Sequence, residues 1–572
     1  MTRGAVCGQT AAVLAGFLLL YAAAVVWLTW PLVARLGTQL PNPLIASNFD
    51  LPQTAWVLAH QARALTEAPT RFADAPIYHP APGALFYADA AFGALPFFLP
   101  PFLATGNPTL AINVTLLAAA ALTAFALHVV VRAATRSDLA GVVAAWTFLT
   151  TRFALWEFGT TAPQYVVLLW FPFIVLLATR PPSRARDLTL AALIALQSLS
   201  SPVYVSAAIL IPLGGIALGR LGHRASRIDG LRLLGAMALA VIALLPVVAG
   251  YVAVRAANPN LPDQTYWNWW RPTTELPWGP FGGQQAPTAV PLVAIALAVA
   301  GAISLALPWR SSARPAGARV FGHAALWAVA GIVMSLGARA TWYGRPVAIP
   351  QTWLAEWVPL YRTLREPARL GVAGLIGLSL AAGLGFAACV ARLPLRGRPA
   401  AAAAALMAAL AGAEMYREYA AVGFFGRPAL PAVYPTFRPP APDDAIVRAL
   451  AAGEGPVLEI PVGLIPQGCC MPGYQTRAMY RAIFHRRPLL NGYGGYWPAG
   501  FLERMQLASA LPDPTALAAL RAQTGLATVV VNLRELKPGE LAAWRTTLET
   551  GSPGLRPQGR YDDTVLLDAR AD

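Results

Sequence analysis

What most constrains this chain is a succession of apolar runs separated by short connections in which nearly every charge is an arginine. Hydrocarbon offers no partner for a backbone N–H or C=O, so a run that crosses a bilayer must be helical, and a helix needs about 20 residues to do so. Runs at 11–30, 109–131, 138–152, 161–179, 187–200, 203–219, 231–252, 289–308, 320–337, 368–391 and 399–420 meet or approach that length, which predicts eleven spans. With 56% hydrophobic and 12% charged residues, against about 25% charged in a typical soluble domain, the chain is too apolar for a water-soluble fold. The expected class is mostly α, a polytopic α-helical membrane protein. The first run follows a single Arg3 and lacks a small-residue cleavage site, so it reads as an uncleaved signal-anchor.

The formal net charge of +16 does not point to nucleic acid, because the arginines fall between spans and Lys537 is the only lysine. That placement is a topology signal. The run at 84–104 is apolar but broken by Pro96, Pro100 and Pro101, each of which removes an amide donor. If it does not cross, Arg132 and Arg136, the clusters at 180–186, 220–232, 310–319 and 392–398, and Arg3 all share one face. If it crosses once, every cluster except Arg3 moves to the opposite face. The positive-inside rule therefore makes 84–104 re-entrant or interfacial, the N-terminus cytoplasmic and everything beyond about 421 extracytoplasmic. The long connections at 31–108, 253–288 and 338–367 then face outward with the tail, and the working face is the outer one. No Walker-type glycine loop occurs, which argues against an ATP-driven cytoplasmic mechanism.

The tail from 421 to 572 reads as a separate extracytoplasmic α/β domain. Strands are expected at 457–460, 527–531 and 564–567, with helices opening at Asp443-Asp444 and running over 514–524 and 538–549. Cys469 and Cys470 are adjacent, and neighbours are not expected to bridge. No metal-ligand spacing accompanies them.

Several segments together are similar to the large bacterial branch of the GT-C glycosyltransferase superfamily. They are Thr29-Trp30-Pro31-Leu32, the early Asp50, Phe72-Ala73-Asp74-Ala75 with Tyr78, Gln197-Ser198-Leu199-Ser200-Ser201, Ser335-Leu336-Gly337, Arg362 to Arg369, and Arg487 to Gly495. The resemblance implies a transferase that takes a sugar from a polyprenyl-phosphate carrier on the outer face and hands it to an acceptor. It also implies that the first-loop aspartate, here Asp50, serves as base or orienting acid. The family tends to carry a histidine pair before the glutamine that matches Gln164, and this chain lacks it.

Read from the residues, Asp50 opens an amphipathic stretch fit to lie along the interface. It could deprotonate an acceptor hydroxyl, or simply cap that helix. Asp89 sits in the apolar 84–104 segment, where an acid is expensive unless paired or functional. As a second carboxylate it could bind the acceptor or a divalent cation. Asp74 reads as a turn residue. Arg362, Arg365 and Arg369 precede a span and could hold a lipid phosphate, or else meet ordinary headgroups and outer acids. Glu157, Tyr78 and Trp269, the last within Tyr266 to Arg271, complete the candidate substrate contacts. The loop Asn491 to Tyr496 is expected to cover the site from above. Two other functions remain open: a non-catalytic envelope scaffold with this fold, and a lipid-intermediate transporter or flippase, which the scarcity of charges inside the spans disfavours.

Overall fold

The computed structural model describes residues 3–42, 49–155, 161–258, 287–308, 317–336, 339–342, 345–348, 350–357, 364, 367–393, 395–421, 434–465 and 469–570. Its first half contains α1 (Arg3–Leu28), α2 (Asp50–Glu67), α3 (Leu95–Thr105), α4 (Pro108–Thr135) and α5 (Asp138–Leu149). It continues with α6 (Phe171–Ala178), α7 (Arg184–Ser198), α8 (Tyr204–Leu221) and α9 (Arg227–Ala257). The helix starts are legible. Asn107 accepts from Leu110 N at 3.0 Å with Pro108 in the first turn of α4, Ser137 Oγ accepts from Ala140 N at 3.2 Å, and Ser183 Oγ accepts from Arg186 N at 3.1 Å, each satisfying an amide that the first turn leaves open.

Then come α10 (Leu292–Ala306), α11 (Ala318–Ser335), α12 (Pro350–Trp357), α13 (Val372–Arg392) and α14 (Arg398–Ala421). Among the described residues six helical stretches are long and apolar enough to cross a membrane: Ala11–Leu28, Pro108–Thr135, Tyr204–Leu221, Arg224–Ala257, Ala318–Ser335 and Pro367–Arg392. The expected span at 161–179 is not one helix. It is a turn at Pro163–Tyr165, irregular backbone, and then the eight residues of α6. The freed backbone groups are satisfied from neighbouring helices, since Thr123 Oγ1 donates to Val166 O at 2.7 Å and accepts from Leu168 N at 3.2 Å. Gln197 Oε1 accepts from Trp170 N and Phe171 N at 3.1 Å each, while its Nε2 donates to Val167 O at 2.7 Å. This is the condition under which membrane proteins tolerate broken helices. The 84–104 segment is likewise broken, into turns at Ala84–Tyr87 and Phe92–Ala94 followed by α3. At 1.5 Å per residue α3 is about 16 Å long, half the ~30 Å hydrocarbon thickness.

Helix α13 is the buried axis of the second half, packed between α10, α11 and α5. Small residues allow it. A Cβ on Gly331 of α11 would stand 2.0 Å from Gly374 N and 2.4 Å from Gly374 Cα, a backbone approach open only to glycine. Without a hydrophobic drive between helices in lipid, such close contact is what holds spans together.

The basic connections gather at one end of the bundle. Arg186 and Arg220 share Asp229 at 2.5 and 2.6 Å, Arg186 and Arg232 share Asp187 at 2.5 and 2.6 Å, and Arg220 also reaches His323 at 3.3 Å. These contacts join the ends of α7, α8, α9 and α11. At the same ends of α4 and α5, Arg132 pairs with Asp138 at 2.6 Å, and His128 Nε2 donates to that carboxylate at 3.2 Å while Nδ1 accepts from the Tyr21 hydroxyl at 2.7 Å. Arg392 donates to Ser304 O at 2.6 Å.

The C-terminal region contains α15 (Ala445–Ala451), α16 (Pro472–His485), α17 (Phe501–Ala510), α18 (Pro514–Thr524) and α19 (Pro538–Thr550). They accompany a four-stranded sheet of β1 (Val457–Ile460), β2 (Thr528–Asn532), β3 (Arg556–Tyr561) and β4 (Thr564–Asp568), in the order β1-β2-β4-β3. The β1/β2 pair is parallel and the others antiparallel. Strands β1 and β2 are buried, and the one acid in β1, Glu459, is paired with Arg481. Cys469 and Cys470 are joined as a vicinal disulfide with Cα atoms 3.8 Å apart, contrary to the expectation that neighbours stay apart. Both are buried in a loop where Leu464 bridges to Cys470.

Candidate functional site

The site grows from the end of the bundle opposite the arginine network, where the first loop meets the broken helices. Peptide 88–91 is gripped from three sides. Gln61 of α2 donates its Nε2 to Ala90 O, Tyr251 of α9 donates to Ala88 O at 3.2 Å and accepts from Ala90 N at 3.1 Å, and Gly93 N donates to Leu199 O at 2.7 Å. Gly93 is obligatory, since a Cβ there would lie 2.5–2.6 Å from Ser200 Oγ, Cα and N.

This grip holds Asp89 in place. Its Oδ2 accepts from Ser201 Oγ at 2.5 Å and its Oδ1 from Ala91 N at 3.4 Å. Loss of solvation pushes the carboxyl pKa up to about 6, against the two hydrogen bonds and the positive charge of Arg369, which favour the ionised form. Arg369, at the start of the span that continues into α13, has its guanidinium 5.1 Å above the Tyr204 ring and 5.7 Å from that of Tyr165. The two rings meet edge to face at 6.2 Å. A desolvated cation over aromatic faces is held by the ring quadrupoles. Chemically the arrangement offers a carboxylate with a raised pKa in the field of a fixed guanidinium, a pairing suited to proton transfer next to an anionic group.

Asp50 stands in the first turn of α2, after Phe49, where the helix dipole favours an acid. Eleven residues, about 16 Å of helix, separate it from Gln61, whose side chain touches the Asp89 loop. Among the described residues no group of three or more His, Cys, Asp or Glu side chains could hold a metal ion. Leu51, Trp56, Leu58, Gln61 and Ala62 are all buried, because α2 packs against α16 on one side and α3 and α4 on another.

The loop after Leu490 lies against the start of α2. Gln53 donates to Tyr493 O at 3.0 Å, and Phe49 meets the Tyr493 ring edge-on at 5.6 Å. Asn491 stiffens the loop by accepting from Glu459 N at 2.8 Å and donating to Glu459 O at 3.0 Å, while Gln475 Oε1 accepts from Gly492 N at 3.1 Å. Tyr78 belongs to this seam. It is 1% exposed, its hydroxyl donates to Tyr496 O at 3.2 Å, and its ring packs on Phe501 at 4.7 Å, so it faces the tail rather than an open site. Asp74 accepts from Gly83 N at 2.8 Å and closes a loop. Glu157, Trp269, Arg362 and Arg365 lie outside the described residues.

Four residues of the cluster were not singled out from the sequence. Tyr165, Tyr204 and Tyr251 lie in apolar runs, Gln61 in the amphipathic stretch after Asp50, and none carries a spacing of its own. Ser201 was visible only within Gln197 to Ser201, where Gln197 and Ser200 splice the broken helix while Ser201 meets Asp89.

No protein-family model and no curated protein matches the chain. Solved structures do. Arabinofuranosyltransferase AftD from Mycobacteria matches at 17% identity with a TM-score of 0.58 over 97% of this chain and 40% of AftD. A second AftD structure gives 18% and 0.54 over 97% and 41%. ArnT from Cupriavidus metallidurans bound to undecaprenyl phosphate gives 15% and 0.48 over 97% and 98%. This chain thus spans about two fifths of AftD. At these identities the likeness concerns architecture, and the chain is an integral membrane protein with the GT-C fold.

Proposed function

We propose that the protein is a membrane glycosyltransferase that moves a sugar from a polyprenyl-phosphate-linked donor to an acceptor on the extracytoplasmic face. The observation that carries this reading is the Asp89–Ser201 pair beside Arg369, at the loop end of a GT-C fold shared with an arabinofuranosyltransferase. In the reaction a carboxylate accepts the proton of the acceptor hydroxyl, the hydroxyl oxygen attacks the anomeric carbon, and the bond from that carbon to the phosphate oxygen breaks. The polyprenyl phosphate leaves with the electron pair. We assign the base to Asp50 and the second acid to Asp89, with Arg369, Arg362 and Arg365 compensating the phosphate charge. The arginine network at the opposite end would face the cytoplasm, and residues 421–572 would form an extracytoplasmic domain whose loop roofs the site.

The test is transfer of radiolabelled sugar from a panel of polyprenyl-phosphate donors in membranes containing the protein. Asp50→Asn is expected to abolish transfer at unchanged membrane levels, and Arg369→Ala to raise KM for the lipid donor. Undiminished turnover in Asp50→Asn would refute the base assignment. No transfer from any donor, with no saturable binding of a polyprenyl phosphate, would favour the scaffold.

A further inference from the structure

Four tryptophans among the described residues are exposed: Trp27 (69%), Trp30 (58%), Trp353 (46%) and Trp357 (72%). All belong to the Asp89 end of the bundle. Trp27 and Trp30 end the first span, where Trp30 O accepts from Tyr434 N in the segment leading to the tail. Trp353 and Trp357 lie on α12, in the connection between the Asp89-end termini of α11 and α13, where Gly331 meets Gly374 and Gly371 approaches Ser335.

Helix α12 is unlike the other helices outside the bundle. Positions four apart share one helix face, and Trp353 and Trp357 stack there with ring centroids 6.4 Å apart and planes 13° from parallel. Soluble helices turn such a face inward, yet here both rings are exposed on a helix that lies beside α11 and the Arg345–Ala348 strand. Both ends of the connection are tethered to helices long and apolar enough to span, so α12 stays close to the bilayer surface. Tryptophan is the side chain that prefers this depth, its ring buried among the acyl-chain ends and its N–H in the headgroup layer.

We propose that α12 is an in-plane membrane anchor, with Trp353 and Trp357 inserted into the lipid headgroup region at the level marked by Trp27 and Trp30. The partner is the lipid surface itself. Arg369 opens the span that follows, so the anchor lies on the membrane face where a lipid-borne phosphate would meet that guanidinium; this last step rests on the proposed donor, whereas insertion does not.

The test is photocrosslinking in phospholipid nanodiscs of the full chain carrying benzoylphenylalanine singly at position 353 or 357. Position 27 serves as the lipid-facing reference and the exposed Ala542 of α19 as the aqueous one. Phospholipid adducts at 353 and 357 comparable to those at 27, and absent at 542, are expected. Adduct yields at 353 and 357 no higher than at 542, with position 27 reacting normally, would overturn the proposal whatever the transferase assay shows. Crosslinks from 353 and 357 into the protein's own tail would overturn it equally.

Discussion

Removing one hydroxyl, in Ser201→Ala, should move the acid limb of the pH–activity profile. Ser201 Oγ donates at 2.5 Å to Asp89 Oδ2 and stabilises the ionised carboxylate, whose pKa burial raises to about 6. A hydrogen bond to a charged group is worth ~1.5–3 kcal/mol, and each pKa unit corresponds to about 1.4 kcal/mol. Losing the donor should therefore raise the Asp89 pKa by about one to two units, to roughly 7–8. If ionised Asp89 is the working form, wild-type activity is present above about pH 6 and lost below it. At pH 6.5 the ionised fraction in the variant falls by about three- to twenty-five-fold, while at pH 9 the two proteins nearly match. The assay is initial-rate sugar transfer from pH 5 to 9, with Ser201→Thr as the variant that keeps the hydroxyl. An unmoved acid limb, or a loss equal at pH 6.5 and 9, refutes the reasoning. The sign for stability is the reverse of the usual acid's. The folded state keeps the Asp89 proton above the unfolded carboxyl's value of about 3.9, so this group favours folding at low pH and that contribution is lost as pH rises through about 6.

Gly331→Val should cost at least ~1–3 kcal/mol by overpacking, because its Cβ would stand 2.0 Å from Gly374 N on α13; thermal melting in detergent reads the loss. Asn491→Ala leaves the buried Glu459 N without its 2.8 Å acceptor and should cost ~1–3 kcal/mol, with faster proteolysis of the tail as the readout. Asp229→Asn removes the carboxylate shared by Arg186 and Arg220 and should destabilise by about 3–5 kcal/mol. Because it lies at the end remote from Asp89, the protein that survives should keep its kcat.

Much of the architecture could be read from the residues. The long spans at 109–131 and 368–391 appear as α4 and α13, and in the tail the strands at 457–460 and 564–567 and the helices at 514–524 and 538–549 appear within a residue at either end. Each depends on local signals: a periodic apolar run, a cap, a proline in the first turn. Helices α16 and α17 and strand β3 were missed because they are mixed in polarity. Strand β3 is an exposed edge with little apolar pattern, and α16 and α17 are shaped by what they pack against. The break at 161–179 escaped for the opposite reason: the run is largely apolar, and it is the distant Thr123, Gln197 and Ser200 that make an interrupted helix tolerable.

The candidate site divides along the same line. Composition, the arginine-rich connections and the proline-broken 84–104 run determine by themselves a polytopic membrane chain with three aspartates, Asp50, Asp74 and Asp89, in its first long connection, because hydrophobic length and charge placement act residue by residue. What surrounds each of those acids is a question of neighbours far away in the chain. Asp89 acquires its hydrogen-bond donor from position 201, its nearby cation from 369 and its backbone clamps from 61 and 251, Asp74 is spent on Gly83, and Asp50 opens the helix that carries Gln61. Only the tertiary structure decides that, since a carboxylate's pKa depends on its desolvation and on charges brought within a few ångströms, neither of which any local pattern encodes.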